Sequence, residues 1–267
     1  MIEFLQYAFM QRAFLAGIMV AVICASLGVF LVLKRLSLIG DGLAHAAFGG
    51  VALGFLLGIN PILSALVFSV VAALLTYRLQ AKTKLFGETA IAIMIAAGLG
   101  IGVVLISFAK SFTTDLFSFL FGSILTVTPF DLALTLGLGI VVIMAIIAFY
   151  KELVFLCFDE DGARVAGIPV NGLNILLNVL TAVTVVISIR IVGILLVSAL
   201  IVVPVATAIQ LARSFWQTIL YAASFAILSV ITGLTLSYYF SLAAGGIIVL
   251  TAIVLFLAVL SGKKLLQ

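Results

Sequence analysis

Charge is what this sequence lacks most. Asp, Glu, Lys and Arg make up 8% of its 267 residues, against roughly 25% in a soluble domain, too few to coat a water-facing globule. Histidine occurs once, at His45, so no H-E-x-x-H metalloprotease pair exists, and the two cysteines, Cys24 and Cys157, form neither a C-x-x-C pair nor an expected disulfide. Neither a G-x-S-x-G nucleophile elbow nor a G-x-x-x-x-G-K-[ST] phosphate loop occurs. These absences leave no catalytic constellation, and the chain is expected not to be an enzyme and not to hydrolyse ATP by itself. The net charge of +4 is scattered between apolar stretches, which disfavours nucleic acid as a partner.

What is present is hydrophobicity: 66% of the residues are apolar. A bilayer core of about 30 Å takes about 20 apolar residues per helix. Charges and breakers divide the chain into nine apolar segments, near 13–33, 42–59, 61–77, 88–109, 130–149, 172–189, 191–210, 214–240 and 242–262. The expected fold is all-α, a polytopic transmembrane bundle of eight to nine membrane segments forming one domain over 1–267. Arg12 followed by a long apolar run to Lys34 and Arg35 reads as a retained first helix, not a cleaved leader.

Alternating the direction of the segments puts Lys34, Arg35, Arg78, Lys82, Lys84, Lys151, Arg164, Arg213, Lys263 and Lys264 on one side and Arg12, Lys110 and Arg190 on the other. That bias marks the first side as cytoplasmic. The C-terminus is then inside, the protein is multi-pass in a bacterial or archaeal cytoplasmic membrane, and Ser111 to Pro129 is an outer-surface loop. Arg190, Gly193 and Pro204 interrupt the segment pair around them, and a broken helix there leaves eight full crossings.

Three patterns stand out. In the second segment Gly42, Ala46, Gly50, Gly54 and Gly58 recur every fourth residue, a stripe of small side chains suited to close helix packing. Residues 159–169 read as a short polar helix with an acidic start, Arg164 near its end, and Gly167 and Pro169 as the stop. Finally, ionisable groups in a membrane cost about 2.5–3.5 kcal/mol each, which singles out Asp41, His45, Glu88 and Asp131.

Asp41 and His45 stand four residues apart, on one helical face within reach of a single ion. Aspartate and imidazole suit zinc, manganese or iron. The alternative reading is that Asp41 caps the helix and His45 hydrogen-bonds it or a carbonyl. Two ligands leave a site incomplete, which favours release over storage. Glu88 and Asp131 each open an apolar segment, where a helix N-terminus stabilises a carboxylate.

The run from Gly28 to Leu57, GVFLVLKRLSLIGDGLAHAAFGGVALGFLL, resembles the permease subunits of bacterial zinc and manganese ABC importers, with the hallmark between Arg35 and Gly54. Further similarity lies at Asp115 to Leu132, Ala163 to Gly167, Val192 to Ala208, and Ser237 to Tyr239 with Gly245. The family pattern often carries Ser and Pro where this chain has Ala44 and Gly49.

The resemblance implies a homodimeric, sometimes heterodimeric, permease served by cytosolic ATP-binding subunits and an extracytoplasmic metal-binding protein. No cofactor is permanently bound; the metal is cargo, and ATP belongs to the partner. Asp41 and His45 match residues proposed to hold the metal in transit. The ATPase contact is expected in a short helix at Leu211 to Gln217, including Arg213, Ser214, Phe215 and Trp216, or in the 159–169 turn with Arg164. The outer-loop pattern favours zinc, with manganese or iron as alternatives within the family and a gradient-driven channel outside it.

Overall fold

The computed structural model describes residues 6–82, 87–108, 114–123 and 127–265. Lys84, Lys110 and the parts of the outer stretch at 111–113 and 124–126 lie outside the described residues. Twelve helices and no strand occur among the described residues. Eight are long and apolar enough to cross a membrane: α1 (Ala8–Leu33), α2 (Ile39–Leu57), α3 (Pro61–Lys82), α4 (Gly87–Phe108), α6 (Pro129–Ala148), α9 (Val170–Val192), α11 (Phe215–Phe240) and α12 (Ala244–Leu265). Shorter pieces are α5 (Thr114–Phe121), α7 (Tyr150–Phe158), α8 (Glu160–Val165) and α10 (Val197–Ile209).

Hydrogen-bonding demand explains the choice of helix, because lipid offers no partner to an exposed amide or carbonyl. The chain is a multi-pass membrane protein. α1, α2 and α9 form its most buried layer, while α4, α6 and α12 turn residues such as Val103, Met144 and Val254 outward, where lipid replaces a protein neighbour.

The two ends of the bundle match the two sets of loops. At one end Lys34 meets Glu160 and Asn174, Phe215 packs on Phe30 and Tyr150, and Lys263 reaches Gln210. At the other Tyr7 lies against Tyr238. The lysine-rich end is the cytoplasmic one by the charge bias, and α12 delivers the C-terminus to it.

The interruption expected around Arg190 is a break. α9 stops at Val192, Gly193 adopts φ +89, and α10 restarts at Val197. Ile191 packs beside Gly17, nine residues into α1 and therefore about 14 Å along it, so the break lies well inside the bundle. Helix α10, only 13 residues long with Pro204 in its interior, covers the remaining distance to the cytoplasmic end.

The outer stretch is not simply a surface loop. α5 packs against the break, with Phe119 2% exposed, and the amides of Ile194, Leu195 and Ser123 donate to Phe119, Leu120 and Arg190 carbonyls at 2.9, 3.2 and 3.1 Å. Those bonds satisfy the irregular backbone. Gly122, Gly193 and Gly245 meet there backbone to backbone, and side chains at these three positions would drive into Ile191, Leu120 and Val192 carbonyls.

Candidate functional site

Helix α2 carries the candidate site and is placed by its glycines. A Cβ at Gly50 would sit 2.6 Å from the Ala65 Cα, and one at Gly54 2.6 Å from the Pro61 Cα, so α3 lies directly on α2. Across the other face, a Cβ at Gly98 of α4 would meet the backbone of His45 and Ala46 at 2.6 Å. Gly42 faces Ile91 of α4, and Ala46 lines a small apolar gap between α2, α3 and α4. Gly58 serves differently from the rest of the stripe: at φ +67, with nothing near its Cβ direction, it ends α2 as a left-handed cap.

His45 therefore stands at the α2–α4 crossing, its backbone pressed on Gly98. Its Nε2 lies 3.8 Å from Asp41 Oδ1, beyond hydrogen-bond distance, and its Nδ1 is buried with no partner. Asp41 lies in the first turn of α2 but makes no cap bond there, and its Oδ1 accepts from Ser198 Oγ of α10 at 3.4 Å. The capping reading of the pair thus fails on both residues. A buried imidazole nitrogen without a partner is costly in isolation. The two side chains are 31% (Asp41) and 12% (His45) exposed, open enough to exchange a ligand. No third His, Cys, Asp or Glu joins them among the described residues, so water, a hydroxyl or another chain has to complete any metal shell.

Glu88 is exposed in the first turn of α4 and forms no ligand group with this pair among the described residues. Asp131, 4% exposed, closes a capping box with Thr128: its amide donates to Thr128 Oγ1 at 3.1 Å, and its Oδ2 accepts from the Thr128 amide and hydroxyl at 3.0 and 2.8 Å. Sequence reasoning missed its second partner. Arg190 at the end of α9 places Nε 3.5 Å from Asp131 Oδ2 and its guanidinium 4.3 Å from the Phe119 ring centre. The signal was available, since alternation puts Arg190 at the outer end, where Asp131 opens its apolar segment.

At the cytoplasmic end, Leu211 to Gln217 is not a short helix. Leu211 to Ser214 is a bend, Ser214 caps α11 by accepting from the Gln217 amide, and Phe215, Trp216 and Gln217 form the first turn of that long helix. The Arg213 amide donates to Gln217 Oε1 at 2.9 Å; Phe215 is held among Phe30, Tyr150 and Phe158; Trp216 is exposed beside Tyr150.

The 159–169 segment does form the short helix read from its sequence. Asp159 caps α8 on the Gly162 amide, and Gly167 at φ +81 ends it. Arg164 approaches Glu160 at 3.7 Å, while Phe158 and Val165 are 73% and 91% exposed at this end. Cys157 nearby has its thiol pushed up to about 11 by burial, with the Lys34 charge acting in the opposite direction.

Comparison with known proteins agrees with this architecture. The model of the ABC 3 transport family matches residues 6–263. A probable metal transport system membrane protein of Treponema pallidum is 37% identical over 257 residues, 96% of either chain. The manganese transport system membrane protein MntC of Listeria monocytogenes is 37% identical over 97% of this chain and 93% of its own length. Among solved structures, PsaBC from Streptococcus pneumoniae in complex with Fab superposes with a TM-score of 0.87 at 37% identity, covering 97% of this chain and 93% of that one.

Proposed function

We propose that this chain, which belongs to the ABC 3 transport family, is a permease that carries manganese inward past Asp41 and His45. That it is the membrane-spanning permease of a metal importer follows from the family and its relatives. The observation that carries the site is the pair on α2, with the imidazole Nδ1 buried and unpartnered and Nε2 facing a carboxylate it does not bond. An Asp/His pair accepts manganese, iron or zinc. Relatives named as manganese transport proteins, such as MntC of Listeria monocytogenes, favour manganese over the zinc preference drawn from the outer-loop pattern.

The remaining parts follow. With no phosphate loop in this chain, ATP is hydrolysed by a separate cytosolic subunit. Of the two expected contacts for it, we favour α8 and its approach, a separate short helix with Phe158, Arg164 and Val165 exposed; at Leu211 to Gln217, Arg213, Ser214 and Trp216 are exposed as well, but that stretch is a bend and the first turn of α11, with Phe215 packed inward. A second copy of the chain completes the transport unit as a homodimer and supplies ligands that the two-residue site lacks. An extracytoplasmic metal-binding protein delivers the ion at the end where a cleft of about 400 Å³ opens beside Phe9, Ser123 and Ser241.

Uptake of radiolabelled manganese into vesicles holding this chain, its ATP-binding subunit and its metal-binding protein tests the reading. Entry that requires ATP on the cytoplasmic face, and that excess zinc suppresses only weakly, is expected. Entry without ATP or partners would assign a gradient-driven channel instead.

A further inference from the structure

The α1–α2 turn connects the candidate metal helix to the cytoplasmic end in an unusual way. α1 ends with the amides of Arg35 and Leu36 donating to the Val32 and Leu31 carbonyls at 3.0 and 2.8 Å, a closure that normally places glycine in the left-handed position. Here that position is Arg35, at φ +59. A side chain there is disfavoured by contact with its own backbone, so the turn is held by its surroundings.

What holds it is Lys34. Although it carries a charge, its side chain is only 9% exposed. Its Nζ donates to Glu160 Oε2 of α8 at 3.1 Å and to Asn174 Oδ1 of α9 at 2.6 Å, and Asn174 Nδ2 donates to Glu160 Oε1 at 3.3 Å, closing a three-residue ring. Three elements meet at this one ammonium. The ring opens onto a polar cleft of about 510 Å³ beside Tyr77, Gln80 and Asn178, so water can enter when the ring parts.

We infer that Lys34 is a positioning residue that couples α8 to α2, transmitting displacement of the ATPase-facing helix through the α1–α2 turn to Asp41 and His45. The inference rests on the importer reading and on α8 as the surface that meets the ATP-binding subunit. The linkage is short: Lys34 is seven residues before Asp41, and the rigid closure at Arg35 lies between. Pulling Glu160 displaces a buried charge held by Glu160 and Asn174, and the turn has to follow or leave the ammonium short of a partner. The i,i+4 approach of Arg164 to Glu160 joins an exposed residue of the docking face to the same ring.

The test is the amount of manganese imported per ATP hydrolysed in the reconstituted complex. Lys34→Gln is expected to assemble with the ATP-binding subunit and to keep its ATP hydrolysis within about threefold, while import per ATP falls at least tenfold. The exchange Lys34→Glu with Glu160→Lys reverses the pair, and the Asn174 amide can turn over to serve it; this double variant is expected to regain most of the coupling that either single change loses. Hydrolysis and import falling in proportion in Lys34→Gln, or a double variant no better than the single ones, would overturn the coupling role. Absence of ATP-dependent import by the unaltered complex would instead defeat the importer reading itself.

Discussion

Asp131 Oδ2 and Arg190 Nε lie 3.5 Å apart at the outer end of the bundle, joining the start of α6 to the end of α9 just before the chain breaks at Gly193. The carboxylate is almost wholly buried and also closes the α6 cap, so its charge has two partners to lose. Removing one member of a buried pair costs about 3–5 kcal/mol, because the other stays behind unpaired. Arg190→Met is therefore expected to lower the thermal stability of the purified protein markedly, more than Thr128→Ala, which removes a cap worth about 1 kcal/mol. Equal melting temperatures for the two variants would show that the pair contributes little.

Close approach of α2 to α3 depends on the absence of a single atom. A Cβ at Gly50 has to displace the Ala65 backbone, which no rotamer change relieves. Gly50→Ala is expected to destabilise by at least the ~1–3 kcal/mol of core overpacking. Gly137→Ala on α6, where nothing lies within 4 Å, is expected to cost nothing measurable. Comparing detergent resistance of the two variants checks this, and similar behaviour would contradict the packing described.

Cys157 is held neutral by burial, with its thiol at about 11. At pH 8 it carries about a hundredfold less thiolate than an ordinary cysteine near 9. In a Cys24→Ala background, maleimide or iodoacetamide is expected to modify the folded protein about a hundredfold more slowly than the denatured chain. Because the folded value is raised, this thiol favours the folded state below pH 9 and that contribution declines as pH climbs through about 11. Equal labelling rates before and after denaturation would contradict the burial.

The sequence made the membrane architecture readable because lipid imposes one rule on every segment: length and apolarity decide a crossing. The break near Arg190 and Gly193 was visible for the same reason, as was the α8 helix, whose cap and stop are local signals at Asp159 and Gly167. Tertiary contacts were less visible. The α5 insertion depends on carbonyls pairing with Ile194 and Leu195, more than seventy residues away, and the role of Phe215 depends on Phe30 and Tyr150. Asp41 and His45 stood out as candidates from the cost of intramembrane charge, their four-residue spacing and the family resemblance, whereas Ser198 gave no signal, because one hydroxyl in an apolar helix resembles any other. Lys34 looked like a loop charge until the fold brought Glu160 and Asn174 to it.

In the proposed importer the metal passes Asp41 and His45 on α2. The decisive measurement is ATP-driven manganese uptake by the Asp41→Ala, His45→Ala double variant in the complete complex, with assembly and ATP hydrolysis followed in parallel. Loss of at least nine-tenths of uptake with the complex still assembled is the predicted result; uptake at the unaltered rate would place the metal path elsewhere in the bundle.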